Sequence, residues 1–147
     1  MPDKLIFPAD QAAAMLDHLR AGLPNEACGL LAGLGNRVTH VLAADNIAAR
    51  PRVEYEMDPG QQLQRFEFIE AQGLDLVGIY HSHPFSPAHP SATDLARAFY
   101  PEAVYVIVSL IDVHAPQVNG FLLPPPGTNS HIQQVEIFVE NLPDVGG

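Results

Sequence analysis

Cys28 is the only cysteine in this chain of 147 residues. An intrachain disulfide cannot form, and a four-cysteine zinc site is excluded. Positive charge is nearly as scarce. Seven Lys and Arg stand against 17 Asp and Glu, a formal net charge of -10. Nucleic-acid binding needs clustered cations against phosphate, so that class is set aside, together with docking on anionic lipid. The balance suits a partner surface that is basic or locally neutral. No run reaches the ~18 apolar residues that a membrane span requires. The first seven residues carry neither a basic n-region nor an apolar h-region. A soluble cytoplasmic protein without a secretory signal is the expectation.

What is present is apolar: 47% of the residues, enough to fill one core. There is no internal repeat and no low-complexity linker, so one domain is expected over 1–147, with 141–147 as a flexible tail. Lys4 to Phe7 reads as a short strand. Pro8 then suits a helix start, and Ala12, Met15, Leu16 and Leu19 recur at helical spacing until Gly22 and Pro24. Cys28 to Ala32 and Arg37 to Ala43 read as a hairpin around the turn 33–36. Asp58-Pro59 opens a second helix, Asp as cap and Pro at the first position, and Gly73 stops it. Leu76 to His81 is a strand, followed by a Pro-rich loop from Pro84 to Pro90. Ser91 opens a third helix to about Phe99. Ala103 to Ile111 has the near-continuous apolar character of a central strand covered on both faces. Val118 to Leu123 and Ile132 to Glu140 complete the set. Interleaved helices and strands predict an α/β (α+β) fold, a mixed β-sheet with helices packed on it.

The chemistry concentrates in His81-Ser82-His83-Pro84 and Ser91-Ala92-Thr93-Asp94. Histidines at i and i+2 on a strand face the same way. The loop after them lets the next helix offer Asp94 from its first turn. Two imidazoles and a carboxylate are ligands zinc accepts, and three protein ligands leave a fourth position open for water. Glu26, just before the strand at Cys28, supplies a carboxylate that can serve as base and then acid in metal-assisted hydrolysis. Each piece has a plainer reading. A pair of strand histidines is often structural, and Ser91-x-x-Asp94 is also a helix-capping pattern. Glu26 alone is a solvated acid. It is the register of all of them together that favours a metal centre. Cys28 reads as a small buried residue and His89 as a residue at the cleft rim. His18, His40, His114 and His131 lack ligand spacing. The terminal Gly146-Gly147 reads as part of the tail. Zinc deaminases need a Pro-Cys-x-x-Cys arm, and helical zincins need His-Glu-x-x-His; neither is present. Non-haem iron oxygenases share the two-His, one-carboxylate set but sit on all-β barrels. The ligands alone leave iron and manganese open.

His-x-His, seven residues, then Ser-x-x-Asp, with a Glu upstream at a strand start, resembles the JAMM motif of the MPN+ metallopeptidases. The run Asn25-Glu26-Ala27-Cys28-Gly29-Leu30-Leu31 is similar to bacterial members. The resemblance covers most of the chain, from the first helix to the Val-rich strand near 105. It implies an MPN/JAMM domain, cytidine-deaminase-like, holding one zinc ion through His81, His83 and Asp94. It implies Glu26 as general acid/base and Ser91 as a donor to the oxyanion. It further implies a peptidase or isopeptidase acting after the Gly-Gly tail of a ubiquitin-like or sulfur-carrier protein. Deconjugation in a bacterial ubiquitin-like system is the enzymatic alternative, and a non-catalytic MPN scaffold the alternative of another class. No room exists for the long insertions with which larger eukaryotic deubiquitinases hold ubiquitin, which favours a small carrier.

Overall fold

The structure, a computed structural model, describes residues 3–128 and 131–141. The tail expected at 141–147 lies outside them from Leu142 on, Gly146 and Gly147 included. Among the described residues, seven strands and three helices follow one another: β1 (Lys4–Pro8), α1 (Ala9–Ala21), β2 (Cys28–Leu34), β3 (Arg37–Ala44), α2 (Pro59–Ala71), β4 (Asp75–His83), α3 (Ala92–Ala96), β5 (Val104–Ser109), β6 (Gln117–Leu122) and β7 (Gln133–Glu140). The expected mixed sheet is present, in the order β1-β3-β2-β4-β5-β6-β7. It also closes on itself. β1 pairs in parallel with β7 from Lys4↔Glu136 to Pro8↔Glu140 and touches β3 only at Ile6↔Arg37.

The core follows the two-residue period of the strands. All six residues of β5 are buried. Val104, Val106 and Val108 face a cluster with Leu5, Phe7, Met15 and Leu19, on the side of α1. Tyr105 and Ile107 face the opposite cluster with Leu30, Ile69 and Ile79, on the side of α2. α1 buries Ala12, Met15 and Leu19, one stripe at three- and four-residue spacing. The Asp58 carboxylate accepts from the Gln61 amide and Pro59 takes the first turn of α2, as the cap signals require. Gly35, at φ 61°, turns the β2–β3 hairpin, a conformation that disfavours residues with a Cβ.

β2 runs on to Leu34, narrowing the expected turn, and β5 ends at Ser109 rather than Ile111. Two further boundaries shift for reasons of pairing and backbone. β4 continues through His83, because Ser82 and His83 still pair with Val108 and Ser109. α3 stops at Ala96 rather than near Phe99. Pro101 disfavours helical backbone at Tyr100, and the Tyr100 amide donates to the Tyr105 hydroxyl (3.1 Å). The free stretch of β3 is sealed by side chains. Gln11 accepts from the Val41 amide (3.1 Å) and Arg65 donates twice to the Ala43 carbonyl. Sealing of this kind protects a sheet margin from unwanted pairing.

Candidate metal centre

Alternate residues of β4 separate two environments. Tyr80 joins the α1-side cluster, and the Ser82 hydroxyl accepts from the Ala27 amide (3.0 Å). His81 and His83 face the other side, both buried. The loop 84–90 then folds back so that α3 begins over the pair. There Ser91 and Asp94 form a reciprocal cap: the Asp94 amide donates to Ser91 Oγ (3.0 Å) and the Ser91 amide donates to Asp94 Oδ2 (2.9 Å). The capping role and the site role meet in one group, since the same Oδ2 lies 3.1 Å from His81 Nε2 and 3.0 Å from His83 Nε2. The two Nε2 atoms are 3.2 Å apart.

These three atoms form a nearly equilateral triangle. Tetrahedral zinc with ligands at about 2.0–2.1 Å requires ligand atoms roughly 3.3 Å apart, so the triangle fits such an ion. Tautomer chemistry agrees. The Pro87 carbonyl can only accept, so His83 Nδ1 carries the proton and donates to it (2.8 Å). In the neutral ring that leaves a lone pair on Nε2, the arrangement found around metal-ligating histidines. The His81 ring packs against Tyr55, centroids 4.5 Å apart.

Burial acts differently on each ionisable group. For Asp94 it pushes the pKa up, but the hydrogen bonds with His81 and His83, with the Ser91 amide, outweigh it and hold the carboxyl well below the usual range. Burial lowers the His83 pKa, and the hydrogen bonds to Asp94 and Pro87 more than reverse it. Glu26 is pushed up to about 8, first by burial, then by the charges of Asp94 and Glu54, with His83 opposing.

Glu26 reaches this centre from the neighbouring strand. Cys28 pairs with His81, which sets the residue two positions earlier beside the imidazoles. Glu26 is 5% exposed. One ligand atom each from Glu26, His81 and His83 lies within 4.8 Å of the others. Its Oε1 has no hydrogen-bond partner among the described residues. The sequence-predicted set of Glu26, His81, His83, Ser91 and Asp94 is thus brought together.

Two nearby residues escaped sequence reasoning. Tyr55 covers His81, and Asn46 binds the main chain of Glu26 through its side-chain amide (2.9 Å). Both belong to the irregular segment 45–57, where no spacing rule applies; the polar pair Asp45-Asn46 between apolar residues was the only signal. Beyond Tyr55 opens a cavity of about 430 Å³, floored by Leu30, Ile79 and Tyr105 with Arg97 at its wall. Cys28 is wholly buried, and burial pushes its thiol up to about 12, which removes it as a nucleophile. His89 is exposed and sits edge-on to Phe121. His18 binds the Tyr80 hydroxyl (2.8 Å), a packing role. No helix is long and apolar enough to cross a membrane among the described residues.

Comparison with known proteins agrees with this geometry. Residues 8–121 match the family described as prokaryotic homologs of the JAB domain. A desampylase of Haloferax volcanii is 46% identical over 112 residues, covering 72% of this chain and 81% of that protein. The CysO-cysteine peptidase of Mycobacterium tuberculosis is 38% identical over 119 residues, covering 80% of this chain and 81% of that protein. A protein of Desulfitobacterium hafniense, known from its solution structure, superposes with a TM-score of 0.81 at 34% identity, covering 95% of this chain and 96% of that one. With the family motif in place on a folded site, the chain belongs to the prokaryotic JAB-domain, or JAMM/MPN+, family of metal-dependent hydrolases.

Proposed function

We propose that this protein is a zinc-dependent peptidase or isopeptidase that hydrolyses the bond after the C-terminal Gly-Gly of a ubiquitin-fold, sulfur-carrier-like protein. The observation that carries the reading is the triangle of His81, His83 and Asp94, 3.0–3.2 Å on each side, with Glu26 beside it. The relatives named CysO-cysteine peptidase and desampylase support cleavage. A cytoplasmic setting is part of the same proposal. A non-catalytic scaffold would have no need of all five site residues.

His81, His83 and Asp94 would hold the ion through Nε2, Nε2 and Oδ2. When bound, zinc supplies Lewis acidity to the scissile carbonyl and to water. The remaining work falls to the chain. His83 is locked in its tautomer by Pro87. Glu26 takes a proton from the attacking water and returns it to the leaving amine. Its unpartnered Oε1 is free to accept that proton. The pKa of Glu26, pushed up to about 8 by burial, would be drawn down by a cation held at the three ligands. Ser91 Oγ spends a lone pair on the Asp94 amide and keeps its hydroxyl proton for the developing oxyanion, a contact worth roughly 3 kcal/mol. A Gly-Gly tail has no side chains to clash beside a buried centre. Edge pairing of that tail on β3 is blocked at Val41 and Ala43 by Gln11 and Arg65.

The test is to offer carrier proteins ending in Gly-Gly plus one or a few residues and to follow mass. Release of the extension after the second Gly, abolished by chelator or by Gly→Ala at the scissile position, is the expected result. Indiscriminate cleavage of unstructured peptides, with folded carriers ignored, would overturn the reading.

A further inference from the structure

Glu26 lacks a side-chain tether. Its Oε1 has no partner among the described residues, yet a proton shuttle works only when its carboxylate is held to within a fraction of an ångström. The restraint must come through the main chain. On its C-terminal side the strand supplies it: the Ala27 amide donates to Ser82 Oγ and the Ala27 carbonyl accepts from the Ser82 amide (3.1 Å). Glu26 itself precedes β2, and both of its own backbone groups are held by the segment 45–57. Its amide donates to the Pro51 carbonyl (2.7 Å), and its carbonyl accepts from Asn46 Nδ2 (2.9 Å).

Asn46 is also the knot of that segment. Nδ2 donates to the Glu54 carbonyl (3.1 Å) and, at longer range, to Pro51 (3.5 Å). Oδ1 accepts from the amides of Ala48 and Glu56, both at 3.0 Å. Three carbonyls surround the nitrogen and two N–H groups the oxygen, so only one orientation of the amide is possible. One side chain therefore binds Glu26 directly and fixes Pro51, which holds the Glu26 amide. It also fixes the residues on either side of Tyr55, which covers His81.

We infer that Asn46 is a positioning residue that acts through Glu26, holding the proton shuttle at its working distance from the scissile bond. The inference rests on Glu26 being the acid/base of the proposed reaction. Asn46 touches no ligand atom, so its loss leaves the metal in place and does not weaken substrate binding.

A double-mutant cycle tests this. Wild type, Asn46→Ala, Glu26→Gln and the double variant are compared in single-turnover mass assays on a carrier ending in Gly-Gly plus one residue. Metal content is measured in each. Asn46→Ala is expected to lower kcat about 10- to 100-fold, with KM within about twofold and one metal per chain retained. In the Glu26→Gln background the same change is expected to cost no more than about twofold, because the group it positions is already gone. An equal loss in both backgrounds would mean that Asn46 supports the fold alone. A raised KM with unchanged kcat would mean that it serves substrate binding; either result overturns the inference while leaving the Glu26 assignment intact. Full activity in Glu26→Gln by itself would instead overturn the Glu26 role, and this inference with it. Should the alanine variant fail to fold, Asn46→Ser, whose hydroxyl cannot span to Glu26, enters the same cycle with the same two outcomes.

Discussion

Two carboxylates face one pair of imidazoles and are held in opposite ways. Asp94 is saturated: its Oδ2 meets both histidines and the Ser91 amide. Its charge is fixed, as a metal ligand requires. Glu26 is buried without a side-chain partner for Oε1, and its pKa rises to about 8. A carboxylate that must both accept and release a proton needs an oxygen not already committed to a hydrogen bond. The contrast originates in local structure. Asp94 sits in a helix cap, where backbone donors converge. Glu26 sits just before a strand, where only its backbone is gripped. Location in the fold thus separates the proposed ligand from the proposed shuttle although both side chains end in the same group.

The largest effect should come from the saturated side. Asp94→Ala, or the double change His81→Ala with His83→Ala, is expected to abolish both metal binding and turnover, read by element analysis of the purified protein. Full metal retention in the double histidine variant would sink the ligand assignment and erase the contrast. Next comes the free side. Glu26→Gln keeps size and loses the base, so metal content should stay at one per chain while turnover falls ~10²–10⁴-fold. Metal loss in this variant would make Glu26 a ligand and collapse the two roles into one.

The smallest effect is on stability without metal. Glu26 titrates near 8 in the folded protein against an ordinary 4.5. Between those values the unfolded chain has released a proton that the folded chain still holds, so stability falls as pH rises through that window. Below 4.5 both states are protonated and the penalty vanishes. Asp94 behaves oppositely: its pKa is held below the ordinary 3.8, and its contribution is lost only as pH falls beneath that value. Metal-free wild type should therefore lose stability relative to metal-free Glu26→Gln by ~1–3 kcal/mol from about pH 5 to pH 9, measured by denaturant melts. Parallel curves for the two proteins would show that Glu26 is solvated.

Much of this was legible beforehand because it depends on local chemistry. The His-x-His period on β4, the Ser91 cap that aims Asp94, and the Asp58-Pro59 start of α2 are all short-range signals. The doubly buried character of β5 was readable from its composition. What could not be read depends on distant partners. Closure of the sheet pairs Lys4 with Glu136, and no periodicity encodes a contact across that span. α3 ended early because the backbone around Tyr100-Pro101 and the Tyr105 hydroxyl prevailed over helical propensity. Asn46 and Tyr55 matter through hydrogen bonds and stacking made by an irregular segment, where sequence offers composition and no geometry.

The β1–β7 seam has a mechanical consequence. The elements of the candidate metal centre, β2 to β5 with α3, are neighbours in the chain and complete by Ser109, whereas β7 ends at Glu140. Before β7 joins, β1 is paired to the sheet only by its single bridge to β3. Once closed, the two strands run parallel, so tension applied at the start of β1 and the end of β7 loads all five registered pairs together in shear. Force applied at those two points is then borne by the seam, and β4, which carries His81 and His83, and β2, which follows Glu26, stay out of its path.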